Sequence, residues 1–323
     1  VINHVLVLGG CGFVGRSVLE RLVERTQAGD GRILVPSRHP QRAGDVRSLP
    51  TVEVVQASLH DDASLARLLA GQHAVINLVA ILHGDDAAFR QVHVDLPERL
   101  GRLSKAAGVQ RIVHVSALGV DAERPAAAPS RYLRSKAEGE GALRRHRPDA
   151  VVLRPSVIFG ADDRFLNLFA SLQRLAPLMP LAGADAAFQP VWVEDVAEAI
   201  VRSLDDEAVT GRTIECTGPD RYTLGELVRM AGRWAGCERP VVPLPAAVGR
   251  LQALAMEWMP GPTLMSRDNL DSMRIPNVAS GRLPGLELLG IEPASLEAIA
   301  PSYLSRGCGL ERMNAWRSAR RTS

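Results

Sequence analysis

His4-Val5-Leu6-Val7-Leu8, followed without a break by Gly9-Gly10-Cys11-Gly12-Phe13-Val14-Gly15, is the stretch on which the fold turns. A short, largely apolar run stopped by glycine predicts a strand covered on both faces. Beyond the glycines, Val14, Val18, Leu22 and Val23 recur at helical spacing. A strand that bends directly into a helix needs a tight turn and close backbone approach, and glycine meets both needs. The amides that open such a helix attract anions. The turn therefore predicts a seat for a diphosphate lined by Gly9, Gly12, Phe13, Val14, Gly15 and Arg16. Alone, three glycines describe any tight strand-to-helix turn; at the head of a series of alternating units they point to dinucleotide binding.

That series follows. Residues 32–37, 52–57, 74–79, 111–116 and 150–154 read as further short apolar strands. Between them, Asp61 and Asp62 cap and charge a helix carrying Leu65, Leu68 and Leu69. Asp95 is read as the N-cap of another, with Pro97 in its first turn, Leu96, Leu100, Leu103 and Ala107 facing inward, and Gly108 at its end. A third covers 132–145. Parallel neighbours need crossover connections, so the predicted fold is α/β, a Rossmann-type doubly wound parallel sheet with a smaller C-terminal substrate or partner lobe. Past Pro155 the pattern loosens into a helix over 165–175, a short strand leading to a helix near Asp195, a strand over 211–217 and a helix over 224–236. The expected division is 1–160 as the dinucleotide-binding domain with 188–217 returning to it, 161–187 and 218–305 as the smaller lobe, and 306–323 as a basic, solvated tail.

Composition narrows the function. Of 323 residues, 46% are hydrophobic and 23% charged, which excludes a disordered or collagenous chain. Basic and acidic side chains balance at 38 against 36, too evenly for a nucleic-acid surface. Cys11, Cys216, Cys237 and Cys308 are scattered, without metal-ligand or disulfide spacing, and the histidines form no metal-binding pair, so no metal is expected. No secretory signal and no run long enough to span a membrane is read, so the expected location is the cytoplasm.

Two further features carry chemistry. The second strand ends in Pro36-Ser37-Arg38-His39, where an acid would hold the ribose hydroxyls of NAD; instead Ser37 and Arg38, with Arg16 and Arg42, offer a fork for a 2′-phosphate and favour NADP(H) over NAD(H). The competing explanation is a surface arginine falling there by chance. Lys105 and Lys136 are the only lysines among the 38 basic residues, and Lys136 stands four residues after Tyr132. That spacing puts phenol and ammonium on one helix face, where the cation can hold ribose and favour the phenolate. Ser116, ending the fifth strand, supplies the third polar group of a candidate catalytic trio. Ser58, Leu59, Val79 and Ala80, at the ends of the third and fourth strands, are candidate cofactor contacts. His83 in Ile81-Leu82-His83-Gly84 is a weaker candidate near the nicotinamide. Residues 246–259 show an apolar face suited to a lobe core or a peripheral membrane contact.

The glycine turn, Ser116, Tyr132/Lys136, Arg154-Pro155-Ser156-Val157-Ile158-Phe159-Gly160 and Trp192-Val193-Glu194-Asp195-Val196 together resemble an extended, atypical short-chain dehydrogenase/reductase. More specifically, residues 130–140, 159–177 and 283–293 resemble the NADPH-binding accessory subunit of respiratory complex I (NADH:ubiquinone oxidoreductase) and its bacterial relatives. The resemblance implies that Pro155 and Val157 lie on the nicotinamide side and that Lys136 holds ribose. It also implies that the dinucleotide is structural, that complex I subunits are partners, and that the protein meets the cytoplasmic face of the inner membrane. Two departures stand out. Ser58 replaces the acid that many extended members use for adenine, and Ser116 lies 16 residues before Tyr132, a short interval that disfavours a sugar-nucleotide epimerase. A free-standing reductase, dehydrogenase or epimerase-like enzyme, and a redox sensor, are the alternatives.

Overall fold

Strand β1 (His4–Leu8) is where the apolar run ends up: Val5 through Leu8 are all buried. The computed structural model describes residues 2–26, 31–258 and 265–305. It divides into two units, the first comprising Val1–Ser156, Val193–Thr217 and Val278–Pro293. In chain order the first unit builds α1 (Phe13–Arg25), β2 (Arg32–Ser37), β3 (Val52–Gln56), α2 (Asp62–Leu69), β4 (Ala74–Asn77), α3 (Asp86–Arg90), α4 (Leu96–Ala106), β5 (Arg111–Val115), α5 (Arg131–His146) and β6 (Val151–Pro155). The chain then enters the second unit with β7 (Ile158–Phe159), α6 (Leu166–Leu175), β8 (Met179–Ala182), β9 (Ala187–Phe188) and β10 (Val191–Trp192). It returns to the first for α7 (Val193–Asp205) and β11 (Thr213–Cys216). It closes with β12 (Tyr222–Thr223), α8 (Leu224–Trp234), β13 (Val241–Leu244), α9 (Ala246–Trp258), α10 (Arg267–Ser272) and α11 (Leu296–Leu304), all in the second unit.

The first unit holds one seven-stranded sheet in the order β11-β6-β5-β4-β1-β2-β3, every neighbouring pair parallel. The order reverses beside β1, which leaves the crevice at the carboxyl ends of β1 and β4 where doubly wound sheets receive ligands. Leu6, Leu8, Leu65, Leu69, Val75, Leu100, Ile112 and Leu143 pack one core of this unit. Asp61 caps α2 by accepting the Ser64 amide at 2.7 Å, as its position before Leu65 predicts.

Asp95 is not an N-cap. It lies in the right-handed helical region with no capping hydrogen bond, and α3 and α4 are joined through a π-helical turn over Gln91–Asp95. Pro97 has no N–H to return to the carbonyl of residue 93, and the Leu96 amide reaches five residues back to Gln91 instead.

The second unit comprises Val157–Trp192, Gly218–Asn277 and Ala294–Ser323 as far as it is described. Phe159, Leu166, Phe169, Leu181, Leu224, Leu227, Val228 and Leu296 form its core. Its strand pairs are short: β7 with β10, β9 with β12, and β8 with β13. Residues 306–323, expected to form the basic tail, lie outside the described residues.

Candidate functional site

The glycine turn closes on itself. Gly9 has φ +85°, and its carbonyl accepts the Gly12 amide at 3.0 Å. A side chain at Gly15 would bring its Cβ within 2.5 Å of the carbonyl oxygens of both Gly9 and Gly10, and one at Gly9 would lie 3.2 Å from the backbone of Leu78. Only glycine lets α1 begin this close to the turn, and the turn lies against the end of β4 where Val79 and Ala80 follow. No side chain caps α1, and its first turn, Phe13 to Arg16, carries no acid. Its opening amides are therefore left for an anion.

At the end of β2, the Ser37 hydroxyl hydrogen-bonds the Cys11 thiol and accepts the His39 amide at 3.2 Å, joining the turn to the β2 loop. Burial pushes the Cys11 thiol up, against the opposing effects of Ser37 and Arg16. Arg38 is exposed on the same loop; the side chain of Arg42 lies outside the described residues. Ser58 turns its own loop by accepting the His60 amide, and Arg99 of α4 donates to the carbonyl of Leu59 at 2.8 Å. Sequence reading missed Arg99, whose signal is only its place on the inward side of α4.

Around β5 the trio takes shape. Lys136 is 2% exposed, and its Nζ donates to the Val115 carbonyl at 3.1 Å, beside Ser116. Burial lowers its pKa to about 8, outweighing the nearby Glu140 carboxylate. Tyr132 stands one turn earlier, and burial pushes its phenol up to about 12. Burial thus moves the phenol away from phenolate, the direction opposite to the one the four-residue spacing suggests for Lys136. The Ser116 hydroxyl oxygen is buried and, among the described residues, has no hydrogen-bond partner. A buried hydroxyl is normally satisfied, so this one, next to Lys136 and the end of the sheet, fits a polar atom of a ligand. With the glycine cradle it makes the described residues a fit for a nicotinamide dinucleotide.

The remaining candidates divide. Pro155 ends β6 and its carbonyl accepts the Leu118 amide at 2.9 Å; Val157 belongs to the second unit, where Asn277 Oδ1 takes its amide at 3.0 Å. His83 is exposed. The buried histidines are His93 and His114, both 2% exposed, and sequence reading singled out neither. Glu140, completely buried, holds Arg154 through two hydrogen bonds of 2.9 and 2.6 Å. A stride of four from Lys136 reaches Glu140 and was its available signal. Among the described residues no cluster of acids, histidines and cysteines could hold a metal.

A Rossmann sheet with a glycine cradle at β1, with Ser116 just past β5 and with Tyr132 and Lys136 on α5, has the architecture of a dinucleotide-binding protein. Comparison with known proteins agrees: a family model described as NAD(P)H-binding matches residues 9–207. The chain belongs to this NAD(P)H-binding family, in the group related to subunit 9 of the complex I alpha subcomplex. It is 33% identical to the mouse mitochondrial NADH dehydrogenase [ubiquinone] 1 alpha subcomplex subunit 9 over 316 residues, covering 93% of this chain and 79% of that one. It is also 30% identical to the ceramide reductase of Caulobacter vibrioides, covering 75% of this chain and 73% of that one. Among solved structures, the NADPH-dependent quinone oxidoreductase of Escherichia coli in complex with NADPH shares the fold, with a TM-score of 0.73, 20% identity, and coverage of 93% and 99%.

Proposed function

We propose that this chain holds NADP(H) as a structural ligand and serves as a peripheral subunit of a respiratory NADH:ubiquinone oxidoreductase. The observation that carries this reading is the likeness to complex I subunits along 93% of the chain. The site supports it in two ways. Arg38 stands at an acid-free end of β2, where a guanidinium pairs with a 2′-phosphate. A phenol at about 12, with an ammonium tied to the Val115 carbonyl, lies far from the near-neutral pKa that suits a general acid or base. When bound, nicotinamide can carry hydride; in this reading the chain's residues bind and orient it without turnover. Arg38→Ala should weaken NADPH binding by about tenfold or more and leave NADH within about twofold, measured by calorimetry. Equal loss for both, or no bound dinucleotide in native mass spectrometry of gently purified protein, would overturn the cofactor reading. Recovery from native membranes only as a free species would overturn the partner reading.

A second reading, a free-standing reductase, is favoured by the unpartnered Ser116 hydroxyl beside Lys136. There Tyr132 would give its proton to a carbonyl oxygen that Ser116 holds. Turnover that disappears in Tyr132→Phe while dinucleotide binding persists would decide for it.

A further inference from the structure

His93 uses both ring nitrogens. Nε2 lies 3.1 Å from the Ile81 amide, which can only donate, so Nε2 is the acceptor and the ring proton sits on Nδ1. Nδ1 then donates to Ser135 Oγ at 2.9 Å, and the Ser135 hydroxyl passes its own proton to the Tyr132 carbonyl at 2.9 Å. The ring also meets Tyr132 edge to face, with centroids 5.5 Å apart and planes at 81°, and Phe89 packs against both rings, 5.5 Å from His93 and 6.5 Å from Tyr132. One buried imidazole thus connects the backbone that follows β4 to the helix turn that carries Tyr132.

The local structure is built around this contact. His93 lies within the π-helical turn, and a Cβ added at Gly139 would fall 1.8 Å from the His93 carbonyl oxygen, so α5 approaches the π turn at a residue without a side chain. That approach brings Ser135, one turn before Gly139, to the imidazole. The neighbouring amide is braced in a parallel way: Asn77 Oδ1 takes the Val79 amide at 3.2 Å while Asn77 Nδ2 donates to His114 Nδ1 at 3.0 Å.

We propose that His93, fixed as the neutral Nδ1–H tautomer, is a positioning residue of the dinucleotide site, holding the Val79–Ala80–Ile81 backbone and Tyr132 in register with each other. The consequence for binding rests on the proposed function; the tie itself does not. Nitrogen-15 histidine spectra, assigned by the loss of one signal in His93→Gln, should show Nδ1 protonated and Nε2 bare from about pH 5 to pH 8. An Nε2–H tautomer, or a ring that titrates in that range, would overturn the proposal. Ile81 amide exchange should quicken in His93→Phe and slow again in His93→Gln, whose amide oxygen reaches the same donor. NADPH affinity should follow, falling by about tenfold or more in the phenylalanine variant and largely recovering in the glutamine variant. A folded His93→Phe protein with wild-type Ile81 exchange and NADPH affinity would end the idea. A wild-type chain that binds no dinucleotide sinks the proposed function instead, while the tautomer and the Ile81 exchange still decide for or against His93.

Discussion

In the seven-stranded sheet, Val5, Leu6, Val7 and Leu8 are at most 1% exposed, and β1 pairs with β4 over four consecutive residues. In the second unit β7, β9, β10 and β12 are two residues long, and order comes from local polar fastening. Asp163 alone accepts the amides of Gly160, Phe165, Leu166 and Asn167 and the Tyr303 hydroxyl, while α8 and α10 each open with a reciprocal capping box. The contrast extends to charge. The first unit buries a full ion pair, Glu140 with Arg154, and every histidine of the chain lies within it; the second carries its ion pairs at the surface. The buried pair is held there from two elements, Glu140 on α5 and Arg154 on β6. Short strands leave that work to caps.

The sharpest way to break this contrast is Glu140→Ala. Removing the carboxylate leaves the Arg154 guanidinium buried without its counter-ion, which should cost about 3–5 kcal/mol in urea unfolding. Glu257→Ala, which opens the more exposed pair with Arg267 in the second unit, should leave the midpoint nearly in place. Similar shifts from the two variants would erase the distinction between buried and surface pairing.

What the sequence disclosed follows the same line. Strands β1 and β2 fall where continuous apolar residues stop at glycine or at Ser37, because burial on both faces leaves a pattern that needs no partner to be read. The π turn did not show itself. Asp95 followed two residues later by Pro97 has the composition of a helix start, and only the extra residue in the hydrogen-bond ladder, a tertiary accommodation to Gly139, lets one helix pass through it. His93 went unread for that reason: its partners Ile81 and Ser135 are 12 and 42 residues away. The candidate trio was legible as residue types, but the states of Tyr132 and Lys136 depend on burial, which spacing does not report. The loosened pattern past Pro155 located the irregularity of the second unit and not its core.

A second, smaller effect should separate the units by pH. Burial, then the charge of Lys136, lowers His93 to about 2 and His114 to about 3, against 6.5 in an unfolded chain. The folded protein therefore binds fewer protons than the unfolded one between these values. The contribution is complete above pH 6.5 and is lost as pH falls through the window, at about 1.4 kcal/mol per histidine per pH unit. From pH 7.5 to pH 5.5 the two histidines together should remove about 3 kcal/mol. Trp192, Trp234 and Trp258 lie in the second unit, which has no histidine, so their fluorescence should report an acid shift smaller than that of the far-ultraviolet circular dichroism. Coincident transitions at both pH values would show that the units unfold as one and that the contrast is structural without being energetic.

The smallest effect concerns α9, where the usual relation of size to burial is inverted. Its buried residues are Gly249 and Ala253, one turn apart, while Leu251 is 66% and Trp258 85% exposed. The helix lies on β8 through its small residues: a Cβ at Gly249 would come within 2.5 Å of the Ala182 Cβ. Trp258→Ser, though it removes the largest side chain of the helix, should change stability by no more than about 0.5 kcal/mol, because so little of that side chain leaves water on folding. Gly249→Ala, which adds a single methyl group, should cost about 1–3 kcal/mol by forcing α9 away from β8. Urea unfolding followed by circular dichroism, which does not depend on the lost tryptophan, ranks the two. If the serine variant proved the more damaging, Trp258 would be buried in the folded protein in solution, and α9 would have to pack through its large face after all.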